Sequence, residues 1–190
     1  MSPRSRLFVL SGPSGVGKTT IVRALLRRVA GLEFSVSCTT RPPRPGERDG
    51  RDYHFISQEE FAELARAGEF LEWAEVYGHR YGTPLREVER RLAQGRSVLL
   101  DIDTQGARTV RRRSRRLGLP TRFIFILPPS REELRRRIER RGSETPRELE
   151  RRVRAAWREV EVGSWFDYLV VNRDLEEAIS WIARLIRLER

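Results

Sequence analysis

The sequence predicts an α/β chain built on a parallel sheet with helices on both faces. Short, uninterrupted apolar runs recur along the 190 residues: Leu7-Phe8-Val9-Leu10, "SVLLDI" (Ser97 to Ile102), "FIFIL" (Phe123 to Leu127) and "YLVV" (Tyr168 to Val171). A run that is apolar at every position suits a strand buried on both faces. Helical periodicity separates these runs, which is the pattern of crossover-connected parallel strands. The first run also ends in "SGPSG" and leads straight into a helical pattern.

From Thr19, one helical face carries Ile21, Val22, Leu25, Leu26 and Val29, and Gly31 is the expected stop. Further helices are expected over 57–67, 84–94, 104–117, 130–141, 146–161 and 174–188. Three of them begin with the spacing of a reciprocal cap: Ser57 with Glu60, Ser130 with Glu133, and Thr145 with Glu148. Pro146 falls at a first helical position, where its missing N–H is harmless. Residues 34–83 break the rhythm. They are rich in Pro, Gly, Arg and aromatics, as an inserted substrate-binding subdomain is expected to be.

Hydrophobic residues make up 38% of the chain, charged residues 34%, and the net charge is +11. That excess points to an anionic partner: nucleic acid, an acidic membrane surface or a phosphorylated small molecule. Cys38 is the single cysteine, so no intrachain disulfide forms, and the cytoplasm is the expected compartment. The apolar run in "MSPRSRLFVLSG" is too short for a signal peptide, and no segment reaches membrane-spanning length. No recognition-helix, zinc or stacking-sheet signature supports a nucleic-acid binder.

"GPSGVGKT" (Gly12 to Thr19) fits G-x-x-x-x-G-K-[ST], a loop whose main-chain N–H groups turn inward around phosphate oxygens. Of 38 basic residues only Lys18 is a lysine. A site that keeps a slim ammonium against so much arginine needs the compact head, which a planar guanidinium does not supply. "VLLDID" (Val98 to Asp103) sets Asp101 and Asp103 at a strand's carboxyl end, where parallel sheets bind ligands. Either carboxylate can order Mg²⁺ through water or meet a second substrate, and Asp103 can also cap the helix that follows.

Arg41, Arg44 and Tyr53 lie in a loop-rich stretch where arginine forks suit phosphate. In "EFLEWAEVYGHRYGTP", Glu72 sits among aromatics and is followed by Tyr81 and Thr83. A carboxylate facing two parallel donors suits guanine, which offers N1–H and an N2 amino group; adenine lacks that pair. Most charges in "RRRSRR" and "LRRRIERR" are solvated helix faces, with two or three expected to close over phosphates.

Taken together, "SGPSGVGKT", "SVSCTTRPPRPGERDGRDYHF", "GEFLEWAEVYGHRYGTP", "LLDIDTQGA", "FIFILPPS", "RIERRG" and "DYLVVN" resemble the guanylate kinase family in order and spacing. The resemblance implies a P-loop NTPase fold in a single domain. Its core spans about 1–33, 96–128 and 162–190, a GMP-binding subdomain about 34–95, and a helical lid about 129–161. It implies Mg²⁺-dependent transfer of the ATP γ-phosphate to GMP, with dGMP open as an acceptor and the assembly either a monomer or a homodimer.

The roles it implies follow the motifs. Gly12, Pro13, Ser14, Gly15, Val16, Gly17, Lys18, Thr19 and Thr20 would hold ATP, with Asn172 near the adenine. Arg41, Arg44, Tyr53 and Tyr81 would hold the GMP phosphate. Ser37, Glu72 and Thr83 would read guanine, with Asp103 near the same pocket. Thr19 and Asp101 would organise Mg²⁺, partly through water. Lys18, Arg41, Arg137, Arg141 and Arg152 would act on the transferring phosphoryl group. The alternatives are a non-catalytic binding module of the same fold, whose phosphate loop is usually degraded, and a related kinase with another phosphorylated acceptor.

Overall fold

The computed structural model describes residues 5–76, 78–140 and 145–190. A five-stranded parallel sheet runs in the order β2-β7-β1-β8-β9. Its strands are β1 (Leu7–Ser11), β2 (Leu32–Phe34), β7 (Ser97–Asp101), β8 (Thr121–Leu127) and β9 (Tyr168–Val171). The central strand β1 shows why its sequence is continuously apolar. Phe8 and Leu10 pack on one side with α1 (Lys18–Arg28) and α7 (Leu175–Leu188). Leu7 and Val9 pack on the other with Val88 of α3 (Leu85–Ala93) and Ala107 and Val110 of α4 (Thr104–Leu117). Period-2 alternation therefore carries apolar side chains to two covered faces. The expected class is the one observed.

Residues 34–83 hold a feature the sequence reading did not foresee. A second sheet, in the order β4-β3-β6-β5, is formed by β3 (Cys38–Thr39), β4 (His54–Phe55), β5 (Phe70–Val76) and β6 (His79–Pro84). β3 and β4 are two residues each, too short to show a period. β5 carries Glu72 and Glu75 among its apolar residues. Helix α2 (Gln58–Arg66) covers this sheet through Phe61, stacked on Phe70 with ring centroids 4.5 Å apart. Cys38 is buried in the same small core. Burial and nearby carboxylates push its thiol up to about 11. Alkylation at neutral pH is therefore expected only after unfolding, because the thiolate is the reactive form; mass spectrometry before and after denaturant checks this.

Helices α5 (Arg131–Glu139) and α6 (Pro146–Val162) pack through Leu134, Ile138, Leu149, Val153 and Ala156. The three expected reciprocal caps reduce to one. Ser57 and Ser130 do accept the N–H of Glu60 and Glu133, at 3.0 and 3.1 Å. The returning glutamate arm forms only at Thr145, whose N–H donates to Glu148 Oε2 at 3.0 Å. Glu133 turns instead to Arg137, one turn along, at 2.9 Å. A charged partner at i+4 outcompetes a neutral N–H. Among the described residues no helix is long and apolar enough to cross a membrane.

Candidate active site

The glycine loop joins β1 to α1 at the carboxyl edge of the main sheet. Gly15 and Gly17 have φ of 86° and 102°, a region open to glycine and strained for other residues. Space is limiting too. A Cβ on Gly15 would lie 2.7 Å from Ile138 Cγ1 of α5, and one on Gly17 2.9 Å from Asn172 Nδ2. Asn172 is 3% exposed, and its Nδ2 donates to Val16 O at 2.8 Å. The residue expected near a base thus braces the loop from behind.

Lys18 opens α1, and its Nζ donates to Gly12 O at 2.5 Å across the loop. Loop residues 12–19, Asp101, Asp103 and Glu159 line a cavity of about 370 Å³. Thr20 lies just beyond, exposed on the first turn of α1. Burial raises the Asp101 carboxyl above its ordinary value, and the Lys18 charge opposes that. Glu159 responds in the same way: burial and Asp103 raise it, and Lys18 lowers it. The sequence reading missed Glu159 because it sits in an arginine-rich helix with several similar glutamates. Its one signal is helical spacing, seven residues after Arg152 on the same face of α6.

A second cluster surrounds Arg41, which is 9% exposed. Its Nη2 donates to both oxygens of Glu47 at 2.9 Å, and Glu47 Oε2 also accepts the Arg44 N–H at 2.7 Å. The guanidinium lies 5.5 Å from the Tyr53 ring centroid, and Tyr53 meets Tyr81 edge-on at 5.9 Å. The Glu47 hydrogen bonds, with a smaller contribution from Tyr81, raise the Arg41 pKa further. The Arg44 N–H and the Arg41 guanidinium hold Glu47 below its ordinary range. So the structure brings Arg41, Tyr53 and Tyr81 together, while Arg44 contributes its main-chain N–H. It also adds Glu47, whose carboxylate accepts from both the Arg41 guanidinium and the Arg44 N–H. A charge-rich loop sequence gave no reason to single it out.

The third cluster joins the two sheets. Glu72 on β5 is 6% exposed and faces Thr83 on β6, whose hydroxyl donates to Glu72 Oε1 at 2.7 Å. Burial raises the Glu72 carboxyl; the Thr83 hydrogen bond opposes that, and nearby Asp103 adds to it. Asp103 caps α4, its Oδ1 accepting the Gly106 N–H at 2.7 Å. Ser37, half-buried, immediately precedes β3 and accepts the His54 N–H through its carbonyl at 2.9 Å.

The arginines near the glycine loop differ in state. Arg137 is held by Glu133 and by the Asn172 carbonyl, at 2.9 and 3.1 Å. Arg152 is half-buried on α6. Arg141 lies outside the described residues.

Asp103 links these groups: it lines the loop cavity with Lys18 and Asp101 and lies close enough to raise Glu72, whose strand β5 pairs with the β6 that carries Thr83 and Tyr81. The family model described as guanylate kinase matches residues 4–189. The chain belongs to the guanylate kinase family. The guanylate kinase of Symbiobacterium thermophilum is 51% identical over 189 residues, covering 99% of this chain and 87% of that protein. The Thermotoga maritima guanylate kinase is 46% identical, covering 98% and 88%. The crystal structure of the guanylate kinase from Anaplasma phagocytophilum superposes with a TM-score of 0.76 at 38% identity, covering 99% of this chain and 87% of that one. A sugar kinase from Janibacter sp. shares the fold alone, with a TM-score of 0.51 at 18% identity.

Proposed function

We infer that the chain is an ATP:GMP phosphotransferase, a nucleoside monophosphate kinase working in the cytoplasm. The observation that carries this is the pairing of an intact glycine loop, with Lys18 in place, to a buried Glu72–Thr83 pair. A loop of inward N–H groups at a helix N-terminus holds the donor's phosphates. A buried carboxylate whose Oε1 is already held by one hydroxyl is suited to two parallel N–H donors, the pattern guanine offers. The intact loop also weighs against a non-catalytic module.

Arg41, Tyr53, Tyr81 and the Arg44 main chain hold the acceptor phosphate. Glu47 pairs with the nearly buried Arg41 guanidinium and the Arg44 N–H, so an acceptor phosphate would compete with its carboxylate for those two donors. An acceptor phosphate oxygen attacks the γ-phosphorus in line. The new O–P bond forms as the bond to the β-phosphate oxygen breaks, and ADP leaves with that electron pair. Lys18, Arg137, Arg141 and Arg152 meet charge as it spreads over the equatorial oxygens. Closure of α5 and α6, which bear Arg137 and Arg152, excludes water, which otherwise would compete as acceptor.

Among the described residues no three His, Cys, Asp or Glu side chains form a ready-made metal cage. Mg²⁺ keeps several waters and binds through one or two protein groups plus substrate phosphates, so it needs no such cage. The Thr19 hydroxyl and the Asp101 carboxylate, beside the loop cavity, are the groups that would hold it. Bound there, it neutralises phosphate charge.

Coupled ADP release with GMP, dGMP, AMP and UMP as acceptors tests the reading. GMP is expected to lead AMP and UMP by at least about 10³ in kcat/KM, because a buried carboxylate facing adenine N1 leaves two acceptors opposed. A preference for AMP overturns the base assignment.

A further inference from the structure

Gly106 stands in the first turn of α4, where alanine would serve a helix better. Its φ lies outside the left-handed region, so backbone conformation does not require glycine. What the position lacks is room. A Cβ built on Gly106 would lie 3.1 Å from Glu72 Oε2, 3.3 Å from Asp103 Oδ1 and 3.4 Å from Ile102 Cβ. Neither carboxylate can retreat freely. Glu72 is held through Oε1 by Thr83 at 2.7 Å, and Asp103 Oδ1 by the Gly106 N–H at 2.7 Å. Glu72 is also 6% exposed, so its surroundings are already packed.

We propose that Gly106 is a specificity-determining residue: its missing side chain leaves the space in which Glu72 holds Oε2 in line with the acceptor base. It acts through Glu72 and touches no reacting atom, so it is a positioning residue. The inference rests on the reading of Glu72 as guanine's partner. A methyl group here pushes the carboxylate by a few tenths of an ångström, enough to misalign two parallel hydrogen bonds whose geometry must be met together.

The test compares Gly106→Ala and Glu72→Gln with the parent chain. For Gly106→Ala, the GMP KM is expected to rise about tenfold, since even small misplacements of recognition groups are felt. Its kcat at saturating GMP is expected to stay within about twofold, because the phosphate clusters are untouched. Its melting temperature is expected to stay within a few degrees of the parent's, alanine's helix preference offsetting the crowding around its methyl. An unchanged GMP KM in Gly106→Ala beside a large loss in Glu72→Gln overturns the proposal and leaves the base reading standing. A clearly lower melting temperature with the GMP KM unchanged also overturns it, assigning the glycine to packing. An unchanged GMP KM in Glu72→Gln removes the base reading and the proposal with it.

Discussion

Lys18→Ala is expected to fold and melt as the parent does while its turnover falls by at least about 10³, the scale seen when a preorganised cation or donor is removed from a transition state. The two halves of that expectation have separate physical sources. The loop's shape is set by Gly15 and Gly17 at positive φ, by the contact of Gly15 with Ile138, and by the Asn172 hydrogen bond to Val16 O. None of these involves the lysine side chain. Its own hydrogen bond, to Gly12 O, crosses the loop, and a bound phosphate would take its place. What the lysine supplies is charge. Its charge opposes the burial that raises the half-buried Asp101 and Glu159 carboxyls across the cavity. Lys18→Arg is expected to fail nearly as far, because a planar fork does not fit where Nζ stands 2.5 Å from a main-chain oxygen. Coupled ADP-release kinetics beside a thermal melt checks both variants; near-parental turnover in Lys18→Ala refutes the role.

The parallel core was legible because its central strands are buried on both faces, so the interior of runs such as Val98-Leu99-Leu100 had to be apolar. The helices were legible to within a residue or two for a related reason: each carries one apolar stripe, and Pro146 and the capping residues punctuate their starts. The second sheet was illegible. Its inner residues Cys38 and Phe70 lie far apart in sequence, and β5 interleaves its apolar residues with the charges of Glu72 and Glu75. A strand that carries the buried Glu72 inward breaks the hydrophobic pattern, as positions proposed to read a ligand do. Local rules fail most where the chain does chemistry.

The site shows the same division. Lys18 stood out because arginine surrounds it in composition. Glu47 and Glu159 did not, although the first converges on Arg41 and Arg44 and the second lines the loop cavity. Both are acids in segments dominated by arginine, where the ordinary expectation is a solvated ion pair. Their positions depend on which helix face or loop turn packs inward, and only tertiary structure decides that. Asp103 shows that two readings of one residue can hold together. It caps α4 with Oδ1 and in the same pose raises the Glu72 carboxyl.

Glu72→Gln is expected to lower kcat/KM for GMP by about 10³ and to raise activity toward AMP, narrowing the ratio between them further than either change alone. A glutamine amide presents one acceptor and one donor. Against guanine's N1–H and N2 amino group, the amide donor meets a donor; against adenine's N1 and N6 amino group, the same pair is complementary. Acid acts on the parent chain in the same way. Burial, aided by Asp103, lifts the Glu72 carboxyl above its ordinary 4.5, so protonation begins at higher pH than in a solvated glutamate. The GMP KM is therefore expected to climb on acidification above that range, and the climb attributable to this group is expected to vanish in Glu72→Gln. Stability runs the other way. A carboxyl whose folded pKa is raised binds protons more tightly folded than unfolded, so its charge weakens the fold at neutral pH and the penalty fades as pH falls through the folded pKa. Removing that buried charge should leave Glu72→Gln melting at or above the parent at pH 7, the usual exchange of stability for a working site. KM–pH profiles for both chains, with melts at each pH, decide it: a variant that melts lower yet keeps GMP selectivity makes Glu72 a structural acid.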